Sequence, residues 1–573
     1  MKEYIVTLHN REDLEDFYND METPGGDLYI PDRAVDLELR RAISRNTHYM
    51  LTDEEAQTLR EDPRVWDVEL KESVESAAGL LEGYTQSGPF DRDYFIPSSN
   101  DLNWGLYRHV IEQNALSGQW GWDHNNNTGN RTVSPADYTI TASGKNVDVL
   151  IVDTVLDTTV SNHPEFAVNV DGTGGSRVQH FNWFSLTSDL GYGSNGSYDY
   201  SADGGYHGVH VAGTVAGNTQ GWARDANIYN IQPFGQNHGT NNLGQSTYWD
   251  YIRQWHNNKP INSETGRRNP TVSNHSYVFV QGKNSDGSFS GPSGTTGVGA
   301  FRYRGVIYDA WGDEGRDLTD AELEARGIVV ESDGSWYLRA YSTSQAADAQ
   351  DAEDDGIIIT SSAGNNSMKI TKSGNTDYDN IVYWRIGSNQ YASSSYSHRA
   401  CSRTGGSNDN GITVGNLGTK SNDRKFEGSN CGDKTTVYAA GHGVISAVTA
   451  ARSGSSSAFQ DSRDSAYYQD KLSGTSMAAP QVCGVLALLL ESNPNMTQAE
   501  AKEWITENAT NNEMYDTQTD NTLDFESLQG AANKILRWTN QRPETGMSFP
   551  KQNAKARPTS GRTYPRPRMR VRG

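Results

Sequence analysis

The sequence predicts an α/β fold: a mostly parallel sheet with helices on both faces, preceded by a small α+β unit. Three observations predict it. Short apolar runs at 146–152, 226–231, 271–276, 356–360, 412–414 and 435–440 read as strands buried on both faces. Helical patterns at 246–257 and 344–355 lie between them, and alternation of this kind builds a parallel sheet covered on both sides. The run QVCGVLALLL after Pro480 is apolar all round, as a helix through a core must be.

Taken in order, the chain opens with a strand at 4–8, a helix after Asn10, and a second helix started by Thr52 with Glu55 three residues on, a capping box. Pro63 stops that helix, and 65–70 alternates like a strand. Scattered Gly, Ser and Pro from 71 to 102 read as a linker. Strand–helix alternation begins after Trp104 and ends with QAEAKEWITENA, a helix capped by Thr497 and Glu500. Two stretches, 169–205 and 282–338, are rich in Gly, Ser, Asp and aromatics and read as long loops, functional or decorative. No internal repeat is evident.

At 573 residues, length alone suggests two to four domains. The net charge of −23 favours solubility and argues against a surface that coats nucleic acid. That charge is unevenly spread: residues 541–573 hold nine Lys or Arg against Glu544, so the tail carries +8 and the rest −31. The tail's Arg, Pro and Gly content predicts a disordered segment, either merely solvated or in contact with a polyanion or with the acidic body. No apolar run is long enough to cross a bilayer, and MKEYIVTLHNREDLED lacks a secretory apolar core, so neither a membrane partner nor export by a cleaved signal is expected. Cys401, Cys431 and Cys483 are too few for a disulfide framework; three buried thiols are the favoured reading, with a Cys401–Cys431 bridge as the alternative. No spacing proposes zinc.

Four strings share one chemistry. The first apolar strand runs into Asp153; HGVHVAGTVAG begins at His207; IIITSSAGN ends in Asn365; and GTSMAAP contains Ser476. In an open parallel sheet the site lies at the carboxyl ends of the strands, which gives Asp153 and Asn365 a common address. A serine hydroxyl becomes a useful nucleophile when an imidazole takes its proton, and a carboxylate must hold that imidazole in the right tautomer. Negative charge on the attacked oxygen is stabilised by an Asn amide and a backbone N–H, here Asn365 and Ser476. Taken singly, each residue has a structural reading: a His in a small-residue helix usually packs, and an Asp after a strand usually caps. His210 is assigned to packing and His163 to a turn.

These strings resemble the subtilisin-like serine proteases, in which Asp, His and Ser follow in this chain order. The likeness covers roughly 103–535 and includes ITVGN, VYAAGHGV and NWGLYR. It implies a three-layer subtilisin-like fold and a serine endopeptidase with Asp153, His207, Ser476 and Asn365 as catalytic residues. SNHSYV resembles the strand beside the primary specificity pocket, so the likeness places Ser276 and Tyr277 there, opposite Ser362, Ala363 and Gly364. Val155 and Val278 stand where the family has glycine, and Val278 is expected to narrow the pocket.

The first seventy residues, above all NTHYMLTDEEAQTLREDPRVWDVEL, resemble the family's ferredoxin-like inhibitory propeptide. This implies a zymogen whose own prosegment is its intramolecular inhibitor, cut by the enzyme between about 74 and 103. The expected organisation is thus 1–75 propeptide, 76–102 linker and processing region, 103–535 protease, and 536–573 basic tail. The short loop in GNTQGWARDANI resembles the proteinase K branch, so no calcium is expected there; no cofactor is required for the chemistry, and structural calcium elsewhere stays open. Strings such as GKNVDVLIVD and GRRNPTVSNHS resemble subtilase genes of marine tailed phages, implying action in a host cytoplasm or on a virion. The substrate is a protein or peptide. The alternative is a retained, inactive protease-like module, for example a virion component, favoured by Val155, Val278 and the long loops.

Overall fold

The computed structural model describes residues 1–26, 28, 36–40, 45–70, 83–91, 101–111, 132–133, 137–192, 196–201, 205–233, 243, 247–277, 280–283, 297–309, 319–324, 329–330, 336–339, 343–372, 374–378, 380–386, 390–397, 411–419, 423–519 and 524–539. Residues 540–573 of the basic tail and Val278 lie outside them, while Leu536 and Trp538, assigned to the tail by the expected boundary, are buried in the core of the protease body.

Nine strands form the central sheet: β1 (Asp148–Val152), β2 (Val178–Gln179), β3 (Asn227–Ile231), β4 (Thr271–His275), β5 (Ile357–Ser362), β6 (Ile412–Leu417), β7 (Val437–Ala440), β8 (Thr510–Asn511) and β9 (Lys534–Ile535). Their order is β2-β3-β1-β4-β5-β6-β7-β9-β8, parallel throughout except for the antiparallel edge strand β8. β1 (DVLIV) and the first half of β5 (III) are apolar at consecutive positions because they feed two cores, whereas β4 (TVSNH) is equally buried but mostly polar. Val149 and Ile151 of β1 join one core with helices α1 (Tyr206–Ala216) and α4 (Thr475–Ser492). Leu150 and Val152 join the other with α2 (Tyr248–Asn257) and α3 (Thr343–Asp354). Helix α5 (Gln498–Glu507) begins at the predicted Thr497–Glu500 capping box and buries Trp504 and Ile505 in the first core.

Among the described residues α4 alone is long and apolar enough to span a membrane, and it is buried inside the protein. Its burial also pushes the Cys483 thiol well up, away from thiolate chemistry. Cys431 is buried as well, and Cys401 lies outside the described residues.

The N-terminal unit is a four-stranded antiparallel sheet, in the order Asp36–Arg40, Asn46–Leu51, Lys2–Leu8, Val65–Leu70, with helices Leu14–Glu22 and Asp53–Arg60. The Thr52–Glu55 capping box forms with both hydrogen bonds, 3.2 and 2.8 Å. Tyr4, Val6, Phe17, Met21, Tyr49, Leu59 and Val68 make its core. Two of its strands were not anticipated, since 36–40 and 46–51 mix charged or polar residues with apolar ones in runs too short to stand out. Asp67 of this unit lies 3.9 Å from Arg267, in the loop leading into β4, and so at the amino ends of the central strands.

Residues 83–91 and 101–102, inside the stretch read as linker and processing region, are tied into the protease body. Tyr84–Ser87 pairs antiparallel with Asp137–Ile140, and Phe90–Asp91 pairs with Leu102–Asn103 and Thr132–Val133. Phe90 is fully buried, stacked on Tyr107 with centroids 5.1 Å apart, and Asp91 forms a buried ion pair with Lys471. The Tyr84 hydroxyl donates to the Trp222 carbonyl at 2.8 Å. A Gly-, Ser- and Pro-rich composition hides such a segment because its anchoring partners lie far off in the chain.

The two long stretches carry structure of their own. Trp183, Phe184, Tyr198 and Tyr200 from 169–205 fill the second core. From 282–338, strand Gly297–Tyr303 pairs with Ile381–Ile386, joining the segments that follow β4 and β5 in a four-stranded antiparallel sheet.

Candidate functional site

Asp153 directly follows β1 and is 3% exposed. Its loop is clamped from β3, because the Asn230 amide donates to the Ile151 and Thr154 carbonyls at 3.0 and 3.2 Å and accepts the Leu156 N–H at 2.9 Å. Sequence reading missed Asn230; its signal is a polar residue inside a strand otherwise committed to burial.

His207 is the second residue of α1, whose N-cap Gly205 sits at φ +78°, a conformation that favours glycine. Its Nδ1 lies 2.7 Å from Asp153 Oδ1, and the Thr154 N–H donates to that same oxygen at 2.7 Å. The Thr154 hydroxyl accepts the Gly208 N–H at 2.8 Å, so one residue holds both the acid and the start of the histidine helix. Gly208 is required for this approach: a Cβ there would stand 2.3 Å from the Thr154 carbonyl oxygen. Asp153 Oδ2 is buried with no hydrogen-bond donor among the described residues.

Burial by itself would lower the proton affinity of His207. The charge of Asp153 and the hydrogen bond to it outweigh burial, and the imidazole is held above the ordinary histidine range. His210 is the contrast. It is fully buried, its Nε2 lies 2.9 Å from the Val444 carbonyl, and burial pulls it down to about 4, so it stays neutral as a packing residue. His163 accepts the Glu165 N–H at 3.1 Å and caps a short turn.

Ser476 is the second residue of α4, which packs directly on α1: a Cβ on Gly484 would come within 2.9 Å of the Val215 carbonyl oxygen. Asn365 lies just beyond β5. Its Oδ1 accepts both the Thr475 N–H and the Thr475 hydroxyl at 2.8 Å, which fixes the amide and leaves Nδ2 as an exposed donor beside Gly474. Thr475, unremarked in the sequence, therefore aims Asn365. Its hydroxyl also accepts the Gly364 N–H at 2.9 Å.

Asp153 and His207 share a hydrogen bond, whereas among the described residues the Ser476 hydroxyl is not hydrogen-bonded to His207. The Ser476 hydroxyl donates instead to the Ser276 carbonyl at 3.3 Å.

The residues expected at the pocket stand at the carboxyl ends of β4 and β5, which run side by side with His275 opposite Ser361. Ala363 and Gly364 are fixed by β6 and Asn430: the Ala363 N–H donates to the Val414 carbonyl, and Asn430 donates to both the Ala363 and Gly364 carbonyls. Ser362 is buried at the end of β5. The ring of Tyr277 packs on the α2–α3 core, and its hydroxyl meets Tyr248 Oη at 2.7 Å and His275 Nδ1 at 2.9 Å. That network ties this wall to the helical layer behind it. Among the described residues no group of three or more His, Cys, Asp or Glu side chains is placed to hold a metal ion.

A carboxylate-oriented imidazole, a serine at a helix start and an exposed amide donor, all at one end of a parallel sheet, are the parts needed for acyl transfer. Residues 144–530 match the model of the Subtilase family, more than half of the chain, and the chain belongs to that family of serine proteases. Solved structures similar to it include a cold adapted subtilisin-like serine proteinase, at 20% identity and TM-score 0.39 over 74% of this chain and 98% of that one. A protease from Pseudoalteromonas arctica matches at 16% identity and TM-score 0.36, over 74% and 97%. Fervidolysin from Fervidobacterium pennivorans, a keratinolytic enzyme related to subtilisin, matches at 16% and 0.36, over 93% and 60%.

Proposed function

We propose that this chain is a serine endopeptidase made as a self-processing zymogen. Ser476 attacks the scissile carbonyl. His207 takes its proton and later passes it to the leaving amine. Asp153 holds the imidazole tautomer and stabilises its charged form, while Asn365 Nδ2 and the Ser476 N–H receive the oxyanion. The carrying observation is the 2.7 Å Asp153–His207 contact, made at the carboxyl end of the sheet where Ser476 and the aimed amide of Asn365 also lie. The folded N-terminal unit supports the propeptide reading in having a core of its own ahead of the protease in the chain, while its Asp67 lies 3.9 Å from Arg267 at the amino end of β4, away from the catalytic end of the sheet.

The test is intact-mass analysis of purified wild type beside Ser476→Ala, each with a fluorophosphonate serine probe. Loss of the N-terminal unit and labelling in wild type alone is the expected result. Two full-length, unlabelled chains would refute it and favour the second reading, a retained protease-like module. One observation favours that second reading: the Ser476 hydroxyl is engaged by the Ser276 carbonyl and not by His207.

A further inference from the structure

We propose that Asn274 and Ser276 are positioning residues that hold the backbone of the nucleophile from the pocket strand, replacing a helix hydrogen bond that Pro480 removes. The inference rests on the reading of Ser476 as nucleophile. In an unbroken helix the carbonyl of residue 476 accepts the N–H of residue 480. Residue 480 is a proline inside α4, so that donor does not exist and its ring crowds the same carbonyl. Ser476 is about nine-tenths buried, and a buried carbonyl left without a donor is costly.

The missing donor comes from another element. Ser276 Oγ donates to the Ser476 carbonyl at 3.0 Å. Its proton is directed there because Asn274 Nδ2 donates to the same Oγ at 2.9 Å, leaving the hydroxyl one proton and one buried acceptor to spend it on. The Thr360 hydroxyl on the neighbouring strand faces both Asn274 Oδ1, at 3.4 Å, and the Ser273 carbonyl, at 3.3 Å, and shares its one proton between them. In return the Ser476 hydroxyl donates to the Ser276 carbonyl, so the two residues exchange a pair of hydrogen bonds. The peptide plane joining Ser476 to Met477 is thereby held at its carbonyl by Ser276, which Asn274 of β4 directs, and at its N–H by the Gly474 carbonyl, so α4 itself supplies no donor to that carbonyl. The serine and the proline four residues after it work as a unit with two polar residues two hundred positions earlier.

Five chains test this: wild type, Ser276→Ala, Ser276→Thr, Pro480→Ala and the double variant Ser276→Ala/Pro480→Ala. The readouts are kcat and KM of the processed enzyme on a peptide substrate, and the thermal midpoint. Ser276→Ala should lower kcat roughly tenfold with KM changed by no more than about twofold, the loss expected from one unsatisfied buried acceptor at the reacting residue. Ser276→Thr keeps the hydroxyl and should recover most of that loss. Pro480→Ala restores an N–H at 480, so the double variant should turn over faster than Ser276→Ala alone.

A rise in KM with kcat unchanged would make Ser276 a pocket-wall residue and overturn the proposal, as would a double variant no better than the single one. If Ser276→Ala does not fold, Asn274→Ala replaces it, with a kcat loss of about threefold expected. Should wild type itself lack peptidase activity, the endopeptidase reading fails. The thermal midpoints then decide the positioning proposal: recovery in the double variant supports it, and additive losses overturn it.

Discussion

Replacing Asp91 by alanine is expected to destabilise the protease body strongly, although the residue stands far from the site. Asp91 and Lys471 are 1% and 0% exposed and paired with each other, so the variant leaves an ammonium group buried without its carboxylate. Breaking one side of a buried pair costs about 3–5 kcal/mol. The substitution also weakens the short strand that holds Phe90, itself fully buried. At about 2.1 cal/mol/K per residue a body of roughly 430 residues unfolds with an entropy of about 0.9 kcal/mol/K, so a fall of roughly 3–6 °C is expected in calorimetry of the Ser476→Ala background, where processing does not intervene. The control is Asp91→Leu with Lys471→Met, which removes both charges and should recover most of the loss, because apolar replacement of a buried pair is close to neutral. A midpoint for Asp91→Ala within 1 °C of its parent, at a precision of about a tenth of that expected fall, would refute the claim that this segment is part of the body.

The same construction predicts that processing leaves Gly83–Asp91 on the mature chain, so N-terminal sequencing should find the new terminus on the amino side of Gly83; a terminus between 84 and 103 would contradict it. The rate should depend on a neutral His207. Since Asp153 raises the proton affinity of that imidazole, the rising limb of kcat/KM should fall above about pH 6.5, and a limb below that value would contradict the pairing. Stability has the opposite sign: the part due to the protonated His207–Asp153 pair is present below the ordinary histidine pKa and is lost as pH rises through the raised value. Asp153→Asn should lower kcat by about four orders of magnitude and move the limb down, because burial then acts on His207 without the opposing charge. Asn365→Ala should lower kcat by about a hundredfold or more with the thermal midpoint nearly unchanged; an unaltered kcat would remove it from the oxyanion site.

Much of this molecule is legible in one dimension because its signals are local. Strands buried on both faces are commonly apolar at consecutive positions, and β1 and β5 announce themselves in that way. Helix starts are equally local, and the Thr52–Glu55 and Thr497–Glu500 boxes form as their spacing requires. Asp153, His207, Asn365 and Ser476 are legible because each sits in a short string of small residues that lets backbones approach.

What the sequence could not reveal depends on partners distant in the chain. The segment 83–91 reads as a linker until Asp91 meets Lys471, and strand 297–303 reads as a loop until 381–386 pairs with it. Asn230 carries no motif, and Asn274 and Thr475 stand inside SNHSYV and GTSMAAP without a role that those strings assign; their importance lies in which carbonyl or amide each one faces across strands and helices. The types of chemical group at the site were determined by sequence alone, whereas their aim was decided by tertiary structure, since hydrogen-bond direction depends on where the chain brings donor and acceptor together.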